Sequence, residues 1–207
     1  KRYLRVADFE WILDRVIGPA KGQGRIGGKA AGMFLGSRIL QGERHEHHAE
    51  AVAQVELPES WFVRSDVIEH FIHLNRLDEY QSQKYKPAEQ IRNEYPLVRQ
   101  IFQNAEFPPE VVAKLERILD EAGTHPLIVR SSSLLEDRFG AAFSGMYASV
   151  FLGNQGSRKD RLKAILAAIA EVYASTLAPN PLTYRRRHNL MDYNEDMAIL
   201  IQKVVGR

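Results

Sequence analysis

The sequence predicts an α/β fold in its α+β form, with helices packed on a small mixed sheet. Two observations carry this. Apolar residues recur at helical spacing through most of the chain, and short strand-like runs at 55–63, 127–129, 146–152 and 197–205 lie far apart between them. The totals agree: 44% hydrophobic and 26% charged residues over 207 positions are the makeup of a globular chain able to bury a core.

In chain order, Phe9, Ile12, Leu13 and Val16 repeat with a helical period, and Gly18 and Pro19 end that helix. A glycine-dense segment follows (Gly22, Gly24, Gly27, Gly28), then Lys29 and a helix over 30–40. The strand at 55–63 is interrupted by Pro58. Ser65 is placed to cap a helix over 66–77, whose Val67, Ile68, Phe71 and Ile72 share one side. A polar, Tyr-rich stretch at 78–86 reads as surface helix or loop. Helices follow at 87–103 and 109–122, the second with Pro109 in its first turn and Gly123 just past its end. Ser157 caps a strong helix to about Tyr173, and 181–188 reads as another, ending in Arg185-Arg186-Arg187. The domain boundaries expected are a lead-in over 1–24 and one unit over 25–207.

Several function classes are disfavoured. A net charge of +2 gives no bulk attraction to nucleic acid or an anionic membrane. Without cysteine there are no disulfides, thiolate chemistry or Cys-based zinc sites, which fits a reducing, cytoplasmic setting. No stretch is read as long and apolar enough to span a bilayer. The opening Lys1-Arg2-Tyr3-Leu4 and the strand-like end at 201–207 suggest a piece of a longer chain. His45, His47 and His48 among Glu43, Glu46 and Glu50 read as a solvated loop rather than a metal site.

Two segments carry candidate chemistry. Gly24-Arg25-Ile26-Gly27-Gly28-Lys29 opens a helix, where close backbone approach, the helix terminus and a lysine suit a phosphate. It is not a Walker A motif, because Ala30 follows the lysine, and taken alone the segment reads more simply as a flexible loop with an exposed Lys29. Arg130 follows Leu127-Ile128-Val129, so its stem starts in buried surroundings and its guanidinium needs an anionic partner. A phosphate would serve, by a bidentate pair; so would Glu136 or Asp137, in a structural ion pair. Downstream, Gly140 and Gly145 fit either a lid over a ligand or a plain hairpin.

Six segments then occur in order: Gly27-Gly28-Lys29-Ala30-Ala31-Gly32, Leu57-Pro58-Glu59-Ser60-Trp61-Phe62-Val63, Val129-Arg130-Ser131-Ser132, Phe143-Ser144-Gly145-Met146, Tyr184-Arg185, and Ile201-Gln202-Lys203-Val204-Val205. Together they resemble the N-terminal nucleotide-binding region of the phosphoenolpyruvate synthase and pyruvate phosphate dikinase family. The resemblance implies an ATP-grasp-like fold, here its first nucleotide-binding subdomain, with ATP and Mg²⁺ as cofactors and the Mg²⁺ ligands outside this segment. It implies transfer of a phosphoryl group from ATP through a histidine on another domain to pyruvate, or to a rifampicin-type or glucan-type acceptor. Carried over, Lys29 and Arg130 would meet the phosphates, Gly145, Met146 and Ser149 would lie over them, and Gln202 and Val204 would face the adenine. Ala148-Ser149 stands where the dikinases have Asp-Thr, so a hydroxyl is kept and a carboxylate lost. The alternative is an inactive relative serving as a binding module. No nucleic-acid or membrane partner is expected, and a homo-oligomer is compatible with the sequence.

Overall fold

Five strands, β1 (Val16–Ile17), β2 (Ser60–Val63), β3 (Leu127–Ser132), β4 (Ser149–Leu152) and β5 (Ala198–Lys203), form one sheet in the order β1-β2-β5-β3-β4. The structure, a computed structural model, describes residues 6–43, 55, 57–136, 145–193 and 195–206. β1 runs parallel to β2, and every other pairing is antiparallel. The last strand in sequence lies at the sheet's centre, which explains its nearly continuous apolar run: Ala198, Ile199, Leu200 and Ile201 are all buried, as strands covered on both faces require.

Helices α1 (Glu10–Leu13) and α2 (Gly28–Glu43) lie on one face, where Ile12, Ala30 and Phe34 pack on Phe62 and Leu200. The other face carries α3 (Asp66–Leu74), α4 (Ala88–Gln103), α5 (Pro109–Ala122) and α6 (Arg158–Ser175) over the main core. Alternation along β2, β3 and β5 sends Trp61, Val63, Leu127, Val129, Ile199 and Ile201 into that core. At its centre Phe71 meets Phe107, Tyr173 and Phe102 at ring-centroid distances of 4.7, 5.6 and 5.8 Å. A last helix, α7 (Pro179–Arg187), leads into β5. On the α2 side, the β3–β4 part of the sheet is open: Phe151 is 70% exposed and Ser149 is exposed beside the half-buried Ile128 and Arg130.

Several expectations are corrected. The helix expected over 8–16 is a 3-10 turn (Val6–Phe9) and one α-turn, after which Val16 and Ile17 pair with Phe62 and Val63 as an edge strand too short to show alternation. The strand expected over 55–63 begins only at Ser60, beyond Pro58. Residues 78–86 form a 3-10 helix (Asp78–Tyr85). The helix after Ser65 ends at Leu74, and Ser65 makes no side-chain cap; its Oγ instead accepts from the Arg25 N–H (3.1 Å). β3 continues through Arg130 and Ser131 to Ser132, so Arg130 lies within the strand, because β5 pairs with it along that whole length. β4 starts at Ser149 rather than Met146. Ser157 does cap α6, accepting from Asp160 N–H at 3.2 Å. The 158–187 stretch is, among the described residues, the one helical stretch long and apolar enough by composition to cross a membrane, contrary to expectation. Half of its window is buried in this protein, with Ile165, Ala168, Ile169, Val172 and Tyr173 facing the core.

Candidate functional site

β2 and β3 end, and β5 begins, at one end of the sheet, since Val63 and Ser131 both pair with Ile199 and Ser132 pairs with Ala198. The chain's densest polar chemistry gathers there. Gly27, at φ +78°, lets the loop press against β3: a Cβ on it would stand 1.5 Å from the Ser132 carbonyl oxygen. That contact sets the start of α2, where Ser132 Oγ accepts from the Ala30 N–H (3.1 Å) and donates to the Ile26 carbonyl (2.9 Å). One orphan donor of the helix is thus satisfied by a residue 102 positions away. The Gly24 N–H is also engaged, by Asp66 Oδ2 at 3.0 Å, and Asp66 is itself held by Arg64 at 2.9 Å. The glycine segment is therefore a packed support for α2 rather than a loose loop.

Lys29, in the first turn of α2, reaches the end of β3. Its ammonium lies 2.5 Å from Glu136 Oε1 and donates to the Ser131 carbonyl (3.1 Å) and Ser131 Oγ (3.2 Å). The Glu136 side chain is only 2% exposed and also accepts from Ser131 Oγ (3.1 Å) and the Ser133 N–H (3.3 Å). The internal acid weighed for Arg130 therefore belongs to Lys29. Asp137, the other acid weighed, lies outside the described residues, as do Gly140, Phe143, Ser144 and the His45–His48 run.

Arg130 does not meet Glu136. It is half-buried on the open face, directly across from Ser149 on β4 and Leu200 on β5, and forms no hydrogen bond or ion pair among the described residues. Of the expected site residues, then, Arg130 and Ser149 are brought together and Lys29 stands at the adjoining end of β3. Gly145 is exposed at φ +77°, and Met146 is half-buried against the core, both on the approach to β4. Gln202 and Val204 lie toward the far end. Gln202 is buried beneath α2, its amide nitrogen 3.1 Å from Ser60 Oγ and 3.1 Å from Met33 Sδ. The Val204 N–H donates to the Pro126 carbonyl at 2.9 Å, while its side chain is 37% exposed.

A second carboxylate, unnoticed in the sequence, ties the same region together. Glu195, from the link between α7 and β5, accepts from Ser133 Oγ through Oε1 and from the Tyr147 hydroxyl (2.6 Å) through Oε2. The Arg185 guanidinium stands 4.0 Å away and donates to the Leu190 and Tyr193 carbonyls, so this arginine braces the turn after α7 rather than facing solvent. Burial pushes the Glu195 carboxyl up, against the opposing pull of the two hydroxyls and Arg185. Burial also pushes the Tyr147 phenol up, with the Glu195 charge adding to it. No local pattern could have revealed the pair: Glu195 lies 62 positions from Ser133 and 48 from Tyr147. Among the described residues, no group of three or more His, Asp or Glu side chains could hold a metal ion.

Two comparisons bear on this arrangement. Residues 23–207 match the family model described as the pyruvate phosphate dikinase AMP/ATP-binding domain. The rifampicin phosphotransferase of Bacillus subtilis (strain 168) is 25% identical over 167 residues, which cover 78% of this chain and 19% of that relative. The chain thus spans about a fifth of the length of the curated relative it matches.

Proposed function

The chain belongs to the pyruvate phosphate dikinase AMP/ATP-binding domain family, and on that premise we propose that it grips ATP for a larger phosphotransferase, with the phosphates at Arg130 and Lys29. Phosphoryl transfer asks little covalent chemistry of a protein; it asks for position and for charge where charge develops. Arg130 suits that task. Among the described residues this half-buried guanidinium has no acid partner, and a bidentate phosphate contact would supply one. Ser149 offers a hydroxyl directly across the strand pair, and the exposed Gly145 lets the approach to β4 come close to a ligand. The exposed Val204 side chain, opposite the start of β3, is four residues from the Arg130 level, or roughly 13 Å at the usual strand rise. That separation suits a nucleotide stretched between base and phosphates. The base would meet Val204 by its side chain, since the Val204 N–H is engaged by Pro126 and the Gln202 amide by Ser60.

Mg²⁺ belongs to this reading, with its ligands outside this segment; among the described residues no group of three or more His, Asp or Glu side chains could hold it, and the cations this chain would bring to the phosphates are Arg130 and Lys29. The transfer through a histidine on another domain, pyruvate as acceptor, and a cytoplasmic location are part of the same proposal. A rifampicin-type acceptor is the variant that the named relative suggests. The observation that carries the reading is Arg130, without a partner among the described residues, directly across from Ser149. Titration of the full-length protein with ATP and Mg²⁺ tests it. Arg130→Ala should weaken ATP by about 10- to 100-fold, the worth of a hydrogen-bonded charge. Equal affinity would remove Arg130 from the site, and no ATP binding by the wild type would favour a binding module that does not use nucleotide.

A further inference from the structure

We infer that Glu136 is the positioning residue of Lys29, fixing the ammonium at the end of β3 where the nucleotide phosphates would arrive; the inference rests on ATP binding at Arg130 and Lys29. The ammonium has three N–H donors, and three acceptors surround it: Glu136 Oε1 at 2.5 Å, the Ser131 carbonyl at 3.1 Å and Ser131 Oγ at 3.2 Å. A phosphate can therefore reach Lys29 only by replacing one of them. The partners differ greatly in what their loss would leave behind. A displaced serine oxygen is neutral, and Ser131 Oγ keeps its own bond to Glu136 at 3.1 Å. Displacing Glu136 would strand a carboxylate whose side chain is 2% exposed, with only the Ser131 hydroxyl and the Ser133 N–H (3.3 Å) to satisfy it. Serine yields and the acid stays. Lys29 then presents one N–H to the phosphates while its flexible four-carbon stem remains anchored, so little side-chain freedom is lost on binding.

The same geometry gives Glu136 a role beyond filling space. Its carboxylate is itself bonded to the backbone N–H of Ser133 and to the Ser131 hydroxyl, so the ammonium is referenced to β3, the strand that carries Arg130. Both cations would thus be referenced to β3, Arg130 from the strand's open face and the ammonium at its end beside Ser131. Because Lys29 would serve the outer phosphates, loss of Glu136 should be felt by ATP and not by AMP.

Calorimetric titration of the full-length protein with ATP and with AMP provides the test. Glu136→Gln keeps the shape and removes the charge; it should weaken ATP about five- to tenfold, roughly the worth of one ordinary hydrogen bond, and leave AMP unchanged. Restoring the charge in Glu136→Asp should recover part of the loss. In the Lys29→Met background, Glu136→Gln should cost nothing further, as expected for a residue that acts only through the lysine. ATP and AMP weakened equally, or additive losses in the double variant, would reduce Glu136 to a structural role and overturn the inference. Should Glu136→Gln lose its cooperative melt, Glu136→Asp takes its place: it keeps the charge and shortens the reach, so a loss of about twofold for ATP alone is expected, and equal losses for both nucleotides would overturn it. If Arg130→Ala and Lys29→Met both bind ATP as the wild type does, the site assignment itself fails. If they weaken it while Glu136→Gln does not, only the inference about Glu136 falls.

Discussion

Arg130 and Lys29 show how little a residue's type says about its partner. Both were candidates for a phosphate, and Glu136 lies near only Arg130 in sequence; the fold gave Glu136 to the lysine instead and left Arg130 on an open face. The reason is strand alternation. Ser131 points to the side where Glu136 folds back, and Arg130 points to the other. Glu195 is the residue whose titration should be visible. Burial raises its folded pKa above the ordinary 4.5, so the folded protein holds its proton more tightly than the unfolded chain. The sign follows: this group's contribution to stability is greatest below about pH 4.5 and is lost as pH rises through the raised folded value. Glu195→Gln, which cannot ionise, should therefore gain in melting temperature relative to wild type as pH is taken upward from 4.5, and the gain should level off once the native carboxyl is ionised. Thermal melts across pH 4.5 to about 8 check this; a difference that does not change with pH would mean that burial is not what governs Glu195.

Among the elements, α2 is set by two contacts that the helical pattern could not announce. Its start was placed within two residues by the glycines and Lys29, yet its position is fixed by Gly27 pressed on the Ser132 carbonyl and by the Ser132 hydroxyl on the Ala30 N–H. Gly27→Ala should cost roughly 2–4 kcal/mol, because the left-handed backbone and the clash act together. Gly32, inside the same helix with nothing within 4 Å of a would-be Cβ, should behave in the opposite way. Gly32→Ala should stabilise by about 0.5–1 kcal/mol. Urea denaturation of the two variants reads both, and a stable Gly27→Ala would refute the packing described for the loop. Helices α3, α5 and α6 were legible because their apolar periods are long and their ends carry Ser, Pro or Gly signals. The edge strand β1 was not, since two residues have no period and its pairing with β2 is supplied from 46 positions away.

For the molecule as a whole, the sheet divides the protein into a closed side and a partly open one. Phe102, 1% exposed in the aromatic cluster, should be expensive to truncate: Phe102→Ala should cost about 3–5 kcal/mol. Phe151, 70% exposed on the open face, should tolerate Phe151→Ser within about 0.5 kcal/mol. Chemical denaturation distinguishes these, and a large loss at Phe151 would show that the β3–β4 face is covered. The sequence by itself determined the class of fold, most of its helices, the central buried strand and the family, because these rest on periodicity, capping residues and motifs that are local along the chain. Tertiary structure alone decided the strand order, the pairing of Glu136 with Lys29, the placing of Arg130 across from Ser149, and the Glu195 cluster. Each of those depends on which face of the sheet a side chain takes and on contacts spanning up to 107 positions, from Lys29 to Glu136, and no local pattern encodes a contact whose two halves lie so far apart.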